Sequence, residues 1–384
     1  MSTPVLLVAT ATKWLGAARM PRCLANAGFV VSLLAPKNSL AEKSRFVTKI
    51  GHLPDDATPL QWVYAFAAIV KATSPRLVLP CDDVAFRLMQ SLVLSPPENM
   101  QSALQLQLAK LIADSLGDPT HYRESVDKTL ISQAAEALGI RVPPYAVTTD
   151  AREAERFANQ HGYPVVIKRR HSSAGKGVAI CTGRDELRRE YAALSAPDAL
   201  NLGDSSDGRV LAQAYIPGRI HYYNSVAWKG TLLAGQASEQ LAATLRGPAS
   251  VVRYYHSPEL RNVSARLARG FGLTGVYVPE FAVHERTGEP HLLEVNRRMT
   301  QGTHRGSVFN VDLGAALCAA VNGVASPTRA DLDPGEEHFC VHFPLEWMRD
   351  PGSRYLRDFP VDVPWDEPEL VEALVALVAD EPKQ

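Results

Sequence analysis

A pair of predicted β-strands carries acidic and amide side chains at a spacing that could hold a metal ion. The stretch VYVPEFAVHERTGEPHLLEVN places Glu280 on the first strand, and Glu294 and Asn296 on one face of the second. A loop with an odd number of residues, centred on Thr287, would set Glu280 directly opposite Glu294. Like charges in such a pair are destabilising, and a hard cation such as magnesium removes the repulsion. The alternative is a solvated hairpin with scattered acids.

A basic loop lies upstream, in the stretch YPVVIKRRHSSAGKG. Its β-branched residues, Val165–Ile167, predict a buried strand, and Lys168 closes that strand where the chain leaves the core. The residues that follow supply hydroxyls, glycines and Lys176, which allow backbone N–H groups and a cation to approach an anion. This pattern favours a flap that covers phosphates, and an ordinary exposed turn is the alternative.

A third charged position lies at the start of a predicted helix. Ser125 or Asp127 can cap this helix, which ends at Gly139, and Lys128 falls in its first turn. The positive end of the helix dipole disfavours a cation there. Lys128 therefore indicates an anionic partner, unless it is a solvated lysine paired with Glu124 or Asp127.

The composition narrows the class of protein. The chain of 384 residues is 46% hydrophobic and 21% charged, and 40 basic residues against 41 acidic ones give a net charge of −1. This balance offers no electrostatic footprint for nucleic acid. The five cysteines are widely spread without a metal-binding spacing, which predicts a reduced, cytoplasmic protein. No leader pattern or long apolar run predicts export or a membrane span.

The N-terminal region has the pattern of an open α/β sheet. The runs PVLLVA, FVVSLLAP and RLVLP predict strands separated by helices. The third strand ends at Asp82 and Asp83, and ligands bind at the carboxyl ends of strands in such sheets. These acids could touch a substrate, or they could cap the next helix. No GxGxxG follows the first strand, which argues against a dinucleotide site.

Taken together, these stretches resemble the ATP-grasp family of ligases. The resemblance covers roughly residues 120–312, and the preceding α/β region is similar to the pre-ATP-grasp domain of the same enzymes. The matched pieces keep the family's order: DK at 127–128, GYPVVIK ending at Lys168, the flap SSAGKGV, the hinge QAYIPG, Glu280, and ExNxR at 294–298. Two positions depart from the common pattern, since Ala214 replaces a hinge glutamate and Arg297 replaces a proline.

The resemblance implies a role for each matched residue. Glu280, Glu294 and Asn296 would hold two magnesium ions, for which manganese could substitute, and Arg298, Lys176 and Asn296 would be catalytic. Arg297 is expected to point to the opposite face. ATP would be bound by Lys128, Lys168, Ser172, Ser173, Gly175, Lys176, Gly177, Gln213, Ala214, Tyr215, Ile216 and His221, although His221 could equally be one polar side chain on a strand. Candidates for substrate contact are Arg253, Arg305 and Ser307.

The implied fold class is α/β, with α+β character in the ATP-grasp part. The predicted organisation is a Rossmann-like pre-ATP-grasp domain (1–97), a linker helix (98–124), an ATP-grasp lobe with the flap (125–208), a second lobe with the metal and catalytic site (209–320) and a C-terminal extension (321–384). The implied activity is a ligase that joins a carboxylate to an amine through an acyl phosphate. A bicarbonate-activating subunit and a non-catalytic ATP-binding regulator are the alternatives. The partners are small molecules, with neither nucleic acid nor membrane, and a homodimer is left open.

Overall fold

The computed structural model describes residues 3–54, 56–96, 102–172, 177–196, 208–245 and 247–380, which form three β-sheets with helices packed around them. Among the described helices, none is long and apolar enough to cross a bilayer. The predicted α/β architecture with an N-terminal parallel sheet and two further lobes is confirmed.

The first sheet is parallel and has the strand order β3-β2-β1-β4. Successive residues of the first strand enter opposite cores, Val5 and Leu7 on one side and Leu6 and Val8 on the other. This is the pattern of a parallel sheet covered on both faces. The elements are β1 (Thr3–Val8), α1 (Leu15–Ala18), α2 (Met20–Asn26), β2 (Phe29–Pro36), a 3-10 helix (Leu40–Lys43), β3 (Val47–Leu53), α3 (Pro59–Thr73), β4 (Leu77–Pro80), α4 (Asp83–Leu94) and α5 (Ser102–Leu116).

The segment between β2 and α3 contains a fourth strand, β3, which is not among the three strands predicted for this region. This strand runs parallel to β2 at the edge of the sheet. Thr48, Lys49 and Ile50 are exposed there, so the segment lacks the buried apolar run by which the central strands are recognised.

The second sheet is antiparallel, with the order β5-β8-β6-β7, and it carries the predicted Lys168 strand. Asp127 caps the helix before it by accepting a hydrogen bond from the Thr129 N–H (2.9 Å). The elements are a 3-10 helix (Pro119–His121), α6 (Lys128–Ala137), β5 (Tyr145–Thr148), α7 (Ala151–His161), β6 (Val165–Arg169), β7 (Val178–Cys181), α8 (Arg184–Leu194) and β8 (Val210–Ala214).

The third sheet has six antiparallel strands in the order β13-β12-β9-β10-β11-β14. Its last strand, β14, comes from the segment predicted as a C-terminal extension, which therefore completes the sheet. The elements are β9 (Gly218–Trp228), β10 (Thr231–Ala243), β11 (Ala249–Tyr255), α9 (Pro258–Gly270), β12 (Gly275–His284), β13 (Pro290–Asn296), a 3-10 helix (Thr303–Phe309), α10 (Leu313–Asn322), β14 (Glu337–Val341), α11 (Leu345–Arg349), α12 (Tyr355–Asp358) and α13 (Pro368–Asp380).

The β12–β13 hairpin has the predicted pairing for a different reason from the one expected. Glu280 pairs with Glu294, as predicted. The loop, however, is even-numbered: the His284 N–H bonds the Glu289 carbonyl and closes residues 285–288. A β-bulge at Leu293 inserts the one residue that brings Glu294 back opposite Glu280.

Candidate active site

A cleft of about 520 Å³ is lined by residues of the second and third sheets and of the first β–α loop. This volume lies in the range of small-molecule sites. The cleft brings together most of the residues singled out in the sequence, which are Lys128, Lys168, Ser172, Gln213, Ala214, Tyr215, Ile216, Glu280, Glu294, Asn296 and Arg298.

Two buried lysines approach the cleft from different elements. Lys128 begins α6, and its Nζ lies 2.8 Å from Glu294 Oε2 and donates to the Ser172 carbonyl (2.9 Å). Burial lowers the pKa of Lys128, but the adjacent Glu294 outweighs it, so that this pKa is raised. Lys168, on β6, has a pKa lowered to about 8, chiefly by burial. The two cations thus share one wall of the cleft, which fits the binding of an anion.

The paired glutamates respond to the same surroundings in opposite directions. Burial, followed by the charge of Glu294, raises the pKa of Glu280 to about 8. Burial also raises the pKa of Glu294, but Lys128 and Lys168 reverse the effect and hold it below its usual range. Only one of the two facing carboxylates readily ionises, because burial and the repulsion between their charges disfavour ionisation of the second. A divalent cation bound between them would remove this repulsion, and both could then act as ligands. Asn296 donates its Nδ2 to the Val278 carbonyl (3.4 Å), so that its Oδ1 can turn to a ligand.

The predicted hinge segment borders the cleft, which is lined by Gln213 to Ile216. Gln213 is 1% exposed and donates its Nε2 to Ser132 Oγ (3.3 Å). Its Oε1 is buried and has no hydrogen-bond partner within the described structure. A buried acceptor without a donor is costly, and an amino group on a bound base would supply that donor.

The predicted flap is described only at its two ends. Ser172 lines the cleft, and the Gly177 carbonyl accepts a hydrogen bond from the Arg169 N–H (2.8 Å), which continues the β6–β7 hairpin. Ser173, Gly175 and Lys176 lie outside the described residues, so that their predicted roles stay predictions.

Arg298 and Arg297 turn to different sides, as expected. Arg298 lines the cleft, and its guanidinium donates Nε and Nη2 to the Asp83 carboxylate, each at 2.9 Å. Arg297 is 2% exposed and donates to Ser125 Oγ (2.9 Å) and to the Leu116 carbonyl. The first arginine is therefore available to a ligand, and the second ties α5 to the large sheet.

Two predicted residues face the other side of the large sheet, and their assignment to the site is corrected here. Because side chains alternate along a strand, Ile220 and Tyr222 of β9 line the cleft and His221 points away, with its Nδ1 2.7 Å from Tyr255 Oη. Burial lowers the pKa of His221 to about 4. Arg253 likewise faces outward, where it binds Glu239 and Glu337.

The remaining two substrate candidates are also displaced from the cleft. Arg305 and Ser307 lie in the 3-10 helix Thr303–Phe309, and neither is among the described residues that line the cleft. Ser307 is exposed and donates to the His304 carbonyl (3.3 Å). The basic loop after Asn296 curls into a short helix and carries these side chains away.

Several lining residues escaped the sequence analysis, namely Trp14, Tyr222, Asn224, Ser238, Gln240, Tyr254, Thr300 and Gln301. Trp14 follows β1, and its position after the carboxyl end of a parallel strand was a usable signal. Tyr222 and Asn224 share the face of Ile220, so that strand alternation alone could have found them had the cleft side been known.

A buried cluster of Cys340, His342 and Asp362 lies behind Gly302, close enough together to hold a metal ion. Asp362 Oδ1 accepts the Phe343 N–H (2.6 Å), while His342 Nδ1 lies 3.4 Å and His304 Nε2 lies 3.1 Å from Oδ2. The Phe343 N–H and the two imidazoles thus surround the Asp362 carboxylate, and His342 lies against Gly302.

An N-terminal parallel sheet, followed by two lobes that enclose a cleft with cations on one wall and paired acids on another, is the ATP-grasp arrangement. The chain therefore has the ATP-grasp fold. A family model described as the ATP-binding domain of the carbamoyl-phosphate synthase L chain matches residues 127–219.

The carbamoyl phosphate synthase large chain of Hyperthermus butylicus is similar in sequence. It is 25% identical over an alignment of 258 residues, and the match covers 60% of this chain and 23% of that protein. The chain thus spans less than a quarter of the length of this relative.

Solved structures share the fold over most of the chain. The biotin carboxylase domain of the Hydrogenobacter thermophilus 2-oxoglutarate carboxylase, crystallised with MgADP and bicarbonate, gives a TM-score of 0.65 at 18% identity, covering 87% of this chain and 73% of that one. Carboxyaminoimidazole ribonucleotide synthase of Aspergillus clavatus, crystallised with ATP, gives 0.63 at 13% identity, covering 88% and 81%.

Proposed function

We propose that this protein is an ATP-dependent ligase that activates a carboxylate as an acyl phosphate and joins it to an amine. The observation that carries this proposal is the convergence of Lys128, Lys168, Glu280, Glu294 and Arg298 on one cleft. Phosphoryl transfer needs positioning and charge neutralisation more than covalent help from the protein, and these side chains supply both.

The reaction has two steps. A carboxylate oxygen of the acid forms a bond to the γ-phosphorus of ATP, the bond to the β–γ bridging oxygen breaks, and ADP leaves. The amine nitrogen then forms a bond to the acyl carbon, inorganic phosphate leaves, and the amine proton passes to solvent. Lys128 and Lys168 neutralise phosphate oxygens, Gln213 accepts from the adenine amino group, and Arg298 holds the transferring phosphoryl group.

The acids of the cleft fit magnesium. Glu280 and Glu294 are opposed on a ladder, where a cation removes their repulsion, and Asn296 adds a neutral oxygen. Magnesium held there would supply positive charge that neutralises the phosphate oxygens during transfer. Two ions held by these residues, with manganese as a substitute, complete the proposal.

Bicarbonate is a second candidate for the acid. A structural neighbour was crystallised with bicarbonate beside MgADP, and sequence relatives carry the name carbamoyl phosphate synthase. A bicarbonate-activating protein would release ADP with bicarbonate alone, whereas a ligase of larger acids needs an organic carboxylate. A non-catalytic regulator would bind Mg-ATP and release ADP with neither.

The test is a matrix of ADP-release assays. Purified protein with Mg-ATP is mixed with pools of amino acids and small carboxylates, or with bicarbonate, each with and without amines. ADP release that requires one acid and one amine supports the ligase. Mg-ATP binding by calorimetry without ADP release in any mixture contradicts it. Molar mass by light scattering during gel filtration tests the homodimer separately.

A further inference from the structure

We propose that Asp83 and Trp14, which follow strands β4 and β1 of the N-terminal parallel sheet, are positioning residues that fix the guanidinium of Arg298 for phosphoryl transfer. The inference rests on the proposed ligase function, in which Arg298 touches the transferring group. It gives a role to one of the two acids that the sequence places at the carboxyl end of β4.

The contact between Arg298 and Asp83 is specific in geometry. Arg298 Nε and Nη2 each lie 2.9 Å from a different oxygen of Asp83, which is the bidentate arrangement that a planar guanidinium prefers. The side chains are 6% and 30% exposed respectively. Asp83 is not among the described residues that line the cleft, although Arg298 is. The Asp83 carboxylate therefore holds the Arg298 guanidinium from outside the cleft.

Trp14 fixes the remaining freedom of the guanidinium. Its ring lies 4.6 Å from Arg298 Cζ and also lines the cleft. A hydrogen bond along one edge and an aromatic ring against one face together define the plane of the group. Because Asp83 takes the Nε hydrogen and one Nη2 hydrogen, the two Nη1 hydrogens and the second Nη2 hydrogen remain for phosphoryl oxygens.

Asp82 connects the segments that carry Trp14 and Asp83. Its carboxylate accepts hydrogen bonds from the Thr10 N–H (2.6 Å) and hydroxyl (2.7 Å), and it caps α4 through the Ala85 N–H (2.8 Å). The loop after β1, which leads to Trp14, is thus tied to the start of α4, whose first residue is Asp83. Asp82 takes the capping role foreseen as one alternative, while Asp83 is free to hold Arg298.

The first test compares turnover with nucleotide affinity. Asp83→Asn keeps the shape but removes the charge, and we expect kcat to fall about 10- to 100-fold, as for a misplaced catalytic group, while Mg-ATP affinity changes by less than about threefold. A matched control is Asp366→Asn, which breaks a surface ion pair with Arg22 and Arg45 and should leave kcat unchanged. A kcat within twofold of wild type for Asp83→Asn overturns the proposal.

Trp14 is tested by graded substitutions. Trp14→Phe keeps an aromatic face and should retain most of kcat, whereas Trp14→Leu should lose about tenfold or more. At Gly16 an added methyl would lie 2.8 Å from Trp14 Nε1, so that Gly16→Ala should displace the ring and mimic Trp14→Leu. Equal activity of the phenylalanine and leucine variants contradicts a role for the ring.

A measurement without turnover separates this proposal from the ligase assignment. In protein labelled with ¹⁵N-arginine, the Nε–H signal that disappears in Arg298→Lys belongs to Arg298, and it should shift or broaden in Asp83→Asn and remain in Asp366→Asn. If this signal is altered in Asp83→Asn but the wild-type protein releases no ADP with any acid, the contact between Asp83 and Arg298 is supported and the ligase function is contradicted. An unchanged Arg298 Nε–H signal in Asp83→Asn would contradict the positioning role of Asp83, whatever reaction the wild type catalyses.

Discussion

The two faces of the six-stranded sheet differ in how their acidic side chains are paired. On the outer face, Glu239 lies between Arg253 and Arg219, at 2.6 Å and 3.2 Å, so that the charges are satisfied within the protein. On the cleft face, Glu280 and Glu294 oppose each other, and burial raises the pKa of Glu280 to about 8. The charges of the outer face are paired within the protein, whereas the opposed acids of the cleft face are the ones that the proposed function assigns to a metal ion.

The difference shows where function can be sought in a sheet of this kind. Neighbouring residues on one strand fall on opposite faces, so that Tyr222 serves the cleft and His221 the packing on the other side. Substitutions on the cleft face should therefore change ligand binding and turnover, while those on the outer face should change stability.

The largest effect is expected from Glu294→Gln. Loss of its charge removes a partner of Lys128 and a proposed metal ligand while the shape is kept, and ADP release should fall by about 1,000-fold or more, roughly 4 kcal/mol of barrier. Glu285→Gln, at an exposed position of the same hairpin, is the matched control and should be unaffected. Turnover within tenfold of wild type would show that Glu294 holds no metal.

A second prediction uses adjacent arginines on opposite sides. Arg298→Lys should lower kcat about 100-fold, roughly 3 kcal/mol, with Mg-ATP binding retained, because a point charge does not replace the planar fork. Arg297→Lys should keep kcat but lower the melting temperature, since its buried guanidinium bonds Ser125 and Leu116. The reverse result, an inactive Arg297 variant beside an active Arg298 variant, would mean that the two sides have been exchanged.

The third prediction concerns the outer face and pH. The pKa of His221 is lowered by burial to about 4 in the folded protein, whereas the unfolded chain takes up this proton near its ordinary pKa of about 6.5. Stability should therefore fall as pH drops from about 6.5 towards 4, by about 2 kcal/mol at pH 5 from this residue alone.

Denaturant unfolding of wild type and His221→Gln at pH 7.5 and 5.0 measures this effect. The variant should lose less stability between the two pH values, with kcat at pH 7.5 unchanged once both are folded. An equal loss in both proteins would mean that His221 is protonated in the folded state, and altered catalysis would put the residue back at the cleft.

The smallest effect is expected at the hinge. The Gln213 Oε1 lacks a partner in the described structure, and an adenine amino group would satisfy it at a gain of about 1 kcal/mol. Gln213→Leu should weaken ATP binding about fivefold by calorimetry and leave GTP binding, which offers no amino group at that position of the base, nearly unchanged. Equal weakening of both nucleotides would indicate a packing defect instead.

Local patterns in the sequence determined much of this protein. Three predictions that depend only on neighbours along the chain are confirmed by the structure. They are the β-branched strand before Lys168, the capped start of α6, and the placement of Glu294 and Asn296 on one face of their strand. The pairing of Glu280 with Glu294 also came out as predicted, although only the tertiary structure revealed that a bulge at Leu293 produces it.

The tertiary structure alone decided which face of each strand meets the cleft and which distant segments meet there. Alternation along β9 gives two faces, but it is the packing of helix α9 against one of them that sends His221 away from the ligand side. Strand β14 joins the large sheet, and Asp83 reaches Arg298 across 215 positions of sequence. Contacts of this range depend on the geometry of whole sheets, which no local pattern of residue types encodes.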